Sequence, residues 1–269
     1  MGSDSAVRSP LRTLVRAEFA QAFRSPYEVP IVVAANGALM SGAWFLLPSW
    51  LKDWLFTLHG PLAFAVVLAG WMYSDVPATN VLAPDRKRVL EAIDDPAALR
   101  RILFARNIVL WLLVAPLCML LAIVIGISSD RWPPTLLSIV AIAVVPFGAL
   151  GIAAWVGILL PYHPLGLRER WEHRRPVVHT VRWLALVLVP YVLVPALATL
   201  VVLPSFALWA AMSPRGLHGR LPDDHLAAGI VLACVVSAAA WFGGHRVGIA
   251  LAGRHRDKLV SYLGARDLG

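Results

Sequence analysis

Few residues in this chain could do covalent chemistry, and their spacing serves it poorly. Eight histidines invite a metal site, yet no H-E-x-x-H occurs. His163, His173 and His179 are scattered over a segment otherwise rich in arginine, so no metal site is expected. The acid pairs Asp94–Asp95 and Asp223–Asp224 are each adjacent within a polar connection, which suits solvated turns better than general acid and base work. There is no G-x-S-x-G nucleophile elbow and no G-x-x-x-x-G-K-[ST] phosphate loop. The chain therefore binds no ATP through a Walker motif, and any nucleotide power comes from another polypeptide. Cys118 and Cys234 fall inside apolar runs and read as small packing residues. One polar group remains that a lipid-modifying enzyme could use at a membrane face: His163, Arg168, Glu169, Arg170, Glu172 and His173.

The elements that must position these residues are mostly lipid-soluble. Residues are 59% hydrophobic and only 15% charged, which outweighs the one or two soluble domains that 269 residues would otherwise suggest. Six runs are long enough to span: 29–48, 58–73, 108–127, 135–160, 181–203 and 226–251. A helix of 20 residues at about 1.5 Å each covers the ~30 Å hydrocarbon core. The runs are continuous rather than alternating, which favours helices over a barrel. The expected fold is all-α, a polytopic membrane protein with six transmembrane helices and no cleavable signal peptide.

Charge sets the expected orientation. Six spans put both termini on one side. That side collects Arg8, Arg12, Arg16 and Arg24, six basic residues between 86 and 106, five between 168 and 182, and five between 246 and 266. Only Lys52, Arg131, Arg215 and Arg220 of the 24 lysines and arginines lie opposite. Basic loops are retained inside, so both termini are expected in the cytoplasm. The net charge of +8 is then a topology signal that requires no nucleic acid, although a basic face also holds anionic lipid head groups. The resulting division is a cytoplasmic N-terminal segment over 1–28, a six-helix domain over 29–251 and a cytoplasmic tail over 252–269. Loops 74–107 and 161–181 are cytoplasmic, and 204–225 is external with a short apolar helix.

Residues 8–24, "RSPLRTLVRAEFAQAFR", place Leu11, Leu14, Val15, Ala22 and Phe23 at helical spacing with Arg12 and Arg16 between them. This predicts an amphipathic helix lying in the membrane interface, with Pro26 and Pro30 bending the chain toward the first span. Small residues recur four apart at Ala34, Ala38 and Gly42, and at Gly244, Gly248 and Ala252, spacing that permits close helix contact. Asn36 is the most polar side chain deep in the first span, able to bond a neighbouring helix or to face a substrate path. No span carries a central Asp, Glu, Lys or Arg, each costing roughly 2.5–3.5 kcal/mol there. His245 and Arg246 lie near the cytoplasmic end of the last. A proton-coupled carrier lacks its relay.

Loop 74–107 is the most charged stretch of its length. "PDRKRVLEAI" predicts a short helix with Pro84 near its start and Val89, Leu90 and Ile93 on its apolar side. "DDPAALRRILFARN" restarts a helix, with Asp94 or Asp95 as cap and Pro96 in the first turn. Leu99, Ile102 and Leu103 form its apolar side among Arg100, Arg101 and Arg106, and it leads into the third span. Two helices with a defined break exceed what a tether needs and suit a docking surface.

In these respects the chain resembles the membrane permease subunits of the ABC-2 type exporter family over essentially its whole length. The resemblance rests on Asn80, Asp85, the apolar helix 89–93, Asp95–Pro96 and the basic helix 99–106, within an architecture of amphipathic N-terminal helix and six spans. "TNVLAP" stands where such proteins often have a glycine and an aromatic. The resemblance implies ATP-driven export across the plasma membrane, powered by a separate ATPase subunit that holds ATP and magnesium. It further implies a second permease subunit, identical or related. Coupling to the ATPase would fall to Asp94, Asp95, Pro96, Arg100 and Arg101, with Arg12 and Arg16 secondary and Asn36 a candidate for the substrate path. Alanine- and arginine-rich, lysine-poor usage fits a high-GC bacterium. The alternative is a membrane scaffold or lipid-modifying enzyme that transports nothing.

Overall fold

The computed structural model describes residues 10–24, 27–50, 68–73, 80, 82–130, 132–161, 163, isolated positions between 177 and 192, and 223–265. Most of the expected second and fifth spans and of loop 161–181, the connection 204–222 and both chain ends lie outside the described residues. About 89% of the structure is helical, with no strand among the described residues. The helices are α1 (Leu11–Ala22), α2 (Glu28–Leu46), α3 (Arg86–Ala92), α4 (Pro96–Ser129), α5 (Trp132–Leu159), α6 (Asp223–Arg254) and α7 (Arg256–Gly264). A 3-10 turn over Ala83–Asp85 leads into α3. Among the described residues three stretches are long and apolar enough to cross a membrane: Pro96–Ser128, Thr135–Leu159 and Ala227–Arg254. They correspond to the expected third, fourth and sixth spans. The chain is thus a helical protein built for lipid.

Each of these long helices shows why its sequence packs as it does. Along α4, Leu110, Val114, Cys118 and Ala122 recur every four residues and are buried, whereas Leu117, Leu120, Val124 and Ile127 are exposed. An apolar exposed face is stable only against hydrocarbon, so this one suits lipid. Helix α4 ends at Asp130, whose N–H still reaches the Gly126 carbonyl while its left-handed backbone (φ 48°) turns the chain out of the helix. The turn is so tight that a Cβ on Gly126 would lie 2.9 Å from the Thr135 Cβ. Both cysteines are free, and Cys118 is one of the buried packing residues.

The closest packing joins α5 to α6. A Cβ on Gly151 would sit 2.6 Å from the Ala240 carbonyl oxygen, and one on Gly244 would sit 2.9 Å from the Gly151 Cα. Gly148 faces Ser237, and Gly248 faces Ile158 and Trp155. Without Cβ atoms the two backbones touch, which maximises dispersion contact where lipid supplies no hydrophobic drive. The stripe Gly244, Gly248 therefore serves contact within the chain. Ala34 and Ala38 on α2 are exposed instead, and Gly42 has open space beyond its Cα.

Two cores result. One gathers Leu68, Met72 and Tyr73 with Leu110, Val114, Cys118, Ile142, Leu150 and Ala153 in the middle of the long helices. The other lies at their arginine-rich end, where Val89, Ile93, Leu99, Ile102 and Leu103 meet Ile158, Ala252, Leu259 and Leu263. Within the segment read as a tail from residue 252, α6 continues to Arg254 and the chain then folds as α7 onto this second core. Ahead of α2, Tyr27 is left-handed with φ 58°, and Pro30 sits in the first turn of α2, where a missing N–H costs nothing; Pro26 lies outside the described residues.

Candidate functional site

The segment 82–107 is organised as its sequence requires. Asp85 caps α3, its Oδ1 accepting from the Arg88 N–H at 3.4 Å. Val89, Ala92 and Ile93 are buried and Lys87 and Glu91 exposed, so α3 lies on the second core with its charged edge outward. Two turn residues later Asp95 caps α4, accepting from the N–H groups of Ala97 (2.9 Å) and Ala98 (3.1 Å). Pro96 occupies the first helical position, where its fixed φ suits the helix and its absent N–H would have no partner. The break between the two helices is thus dictated locally.

Beyond that break α4 runs for 34 residues, about 50 Å at 1.5 Å per residue, with Pro116 inside it removing one backbone hydrogen bond of the ladder. Its first turns carry Arg100, exposed, and Arg101, half-buried, while Leu99, Ile102 and Leu103 face the core. The charged junction and a membrane-length apolar segment belong to one helix.

Of the residues singled out from sequence, Asp94, Asp95, Pro96, Arg100 and Arg101 share this junction. Asp94 does not cap. It receives a two-pronged interaction from Arg256 on α7, with Nη2 donating to Oδ2 at 2.9 Å and Nε to Oδ1. This hydrogen bonding holds the Asp94 carboxyl below its ordinary value of 3.8. Arg12 and Arg16 are exposed on α1, on a different surface. Leu11, Phe19 and Phe23 are exposed along the same helix and its C-cap, an open apolar surface interleaved with these arginines that suits a membrane interface. Leu14, expected on that same surface, is instead buried with Glu18 against the chain itself.

Asn36 is 6% exposed and accepts from the Trp71 indole N–H at 3.3 Å, joining α2 to the segment before the loop. Its observed contact is helix to helix. Of the polar group considered for an enzyme, only His163 is described. It is buried, its Nε2 donates to the Tyr262 carbonyl at 2.9 Å, and it stacks on the Tyr262 ring. Among the described residues no group of three or more His, Cys, Asp or Glu gathers.

Several polar residues that build this end are not apparent from local pattern. Glu18 of α1 is buried and pairs with Arg88 Nη1 at 2.9 Å and with Arg106 Nη1 at 3.9 Å. Gln21, one turn on, donates to the Pro84 carbonyl at 3.2 Å. Burial nevertheless outweighs both arginines and holds the Glu18 carboxyl above its ordinary 4.5. Deeper along α4, Asn107 and His245 are fully enclosed. The Trp241 carbonyl, 2.8 Å away, can only accept, so His245 Nδ1 carries the proton and Nε2 accepts from Asn107 Nδ2 at 3.1 Å. Asn80 is also enclosed, its amide without a hydrogen-bond partner among the described residues. A single acid within a basic segment was the one sequence sign that Glu18 has work to do. Nothing local marks Asn107 or Arg256.

Comparison with protein-family models, curated proteins and solved structures found no match. Function must therefore be argued from this geometry.

Proposed function

We propose that this chain is the membrane permease subunit of an ATP-binding cassette exporter. Substrate crosses the plasma membrane of a bacterium, driven by ATP hydrolysis in a separate subunit that docks on the cytoplasmic junction between α3 and α4. Six spans with both termini inside, and a second permease subunit completing the path, belong to the same proposal. One observation carries it: the capped junction is continuous with a helix long enough to cross the bilayer. Displacement of such a junction by a partner is passed into the span, because the helical turns between Pro96 and Pro116 are joined by backbone hydrogen bonds. The resemblance in loop pattern, and a basic face that would be retained inside, support the same assignment.

Within this scheme Asp95 and Pro96 hold the break, and Arg100 and Arg101 meet the partner. Arg12 and Arg16 hold α1 to the interface and its anionic lipids. The chain supplies no catalytic group and binds no cofactor itself. The test is the double charge reversal Arg100→Glu, Arg101→Glu. It is expected to leave membrane insertion intact while ATP hydrolysis in the partner loses its dependence on transport. Coupling unchanged from the parent chain would sink the role given to these arginines.

A further inference from the structure

We infer that Arg256 is a positioning residue for the α3–α4 junction, and that α7 ties that junction to α5 and α6 as one body. The inference deepens the proposed docking role of the junction and rests on it. Three independent contacts place α7 there. Arg256 grips Asp94 with two nitrogens on two oxygens, geometry that fixes direction as well as distance. Arg86, the first residue of α3, donates from Nη1 to the Leu263 carbonyl at 3.3 Å, satisfying a carbonyl at the end of α7 that the helix leaves open. Leu259 and Leu263 are buried in the core shared with Val89, Ile93, Leu99, Ile158 and Ala252.

These contacts explain why a short terminal helix is ordered at all. Nine residues form too little helix to persist alone in water, so α7 exists through what it touches. It touches α3 directly, follows α6 after a single residue, His255, and is held from the end of α5 by His163. A push at the junction therefore reaches α6 and α5 through α7, besides travelling along α4. The exposed ion pair is the adjustable member. Leu259 and Leu263 fix that α7 docks, whereas Arg256 and Asp94 fix the angle of the turn at residues 93–95.

The test uses the full chain with Cys118 and Cys234 replaced by alanine and spin labels at Glu91 and Ser261, both exposed. The parent should give a narrow distance distribution, Arg256→Asp and Asp94→Arg each a broad one, and the double exchange a narrow one again. Coupled ATP hydrolysis should fall about two- to fivefold in each single variant, the scale that exposed pairs reach, and recover in the exchange. Broadening with rescue supports the inference, because a lost packing contact would not be restored by reversed charges. Distributions and hydrolysis unchanged in the single variants would overturn it. The distance measurement needs no partner, so its failure is separable from failure of the docking role, which the Arg100 and Arg101 reversal tests by itself.

Discussion

Two adjacent glycines on α6 should respond to the same substitution with opposite sign. Gly244→Ala places a Cβ against the backbone of α5, 2.9 Å from the Gly151 Cα and closer still to its carbonyl. Carbon atoms in contact prefer separations of about 3.5–4.0 Å, and neither helix backbone can give way locally as a side-chain tip would. Overpacking of this kind costs about 1–3 kcal/mol, and a backbone neighbour argues for about 3. The gain in helix propensity returns about 1 kcal/mol, leaving a net loss of about 2. Gly243→Ala meets nothing within 4 Å, so only the favourable part applies, a gain of up to about 1 kcal/mol. Stepwise unfolding of the purified protein in mixed micelles would measure both, each against the parent under identical detergent. The neighbours should differ by about 3 kcal/mol. Equal stability of the two variants would refute the backbone contact between α5 and α6.

Two further outcomes follow from the arginine-rich end. Asp95→Ala removes both cap hydrogen bonds and should cost about 1 kcal/mol, seen as faster amide hydrogen exchange confined to residues 97–99, with Asp94→Ala leaving those amides protected. For Glu18 the sign is set by burial, which raises its carboxyl above 4.5. The folded chain then holds that proton more readily than the unfolded chain, so its contribution is complete below pH 4.5 and fades as pH climbs through the raised value. Thermal unfolding scans between pH 4.5 and 7 should therefore slope less for Glu18→Gln than for the parent; identical slopes would contradict the burial assigned to α1.

What the sequence could announce is set by how local each cause is. Three membrane-length helices, the Asp95–Pro96 break and the close approach of Gly244 and Gly248 follow from composition, capping chemistry and spacing within one helix. The amphipathic helix near the N-terminus was legible as a helix, but its faces were not. Leu14 and Glu18, four apart on one side, are buried, and Glu18 binds Arg88 and Arg106, which no window around them contains. Helix α7 offers Leu259 and Leu263, with Val260 and Tyr262 beside them, as a short apolar edge, too little to distinguish a docked helix from a solvated tail. Its partners on α3 and in the turn after it lie more than 160 residues away along the chain. Pairings such as Asn107 with His245 depend on which helices become neighbours, and helix periodicity carries no information about that choice.

The central claim is that the α3–α4 junction receives work from an ATPase in a separate subunit. Purification of the intact chain from its native membrane in mild detergent, followed by assay of ATP hydrolysis in the purified material, tests it most directly. A cassette ATPase should accompany the parent chain in stoichiometric amount, and the Arg100→Glu, Arg101→Glu chain should leave it behind or uncoupled. A purified chain that carries no ATP hydrolysis and instead turns over a lipid substrate alone would contradict the account.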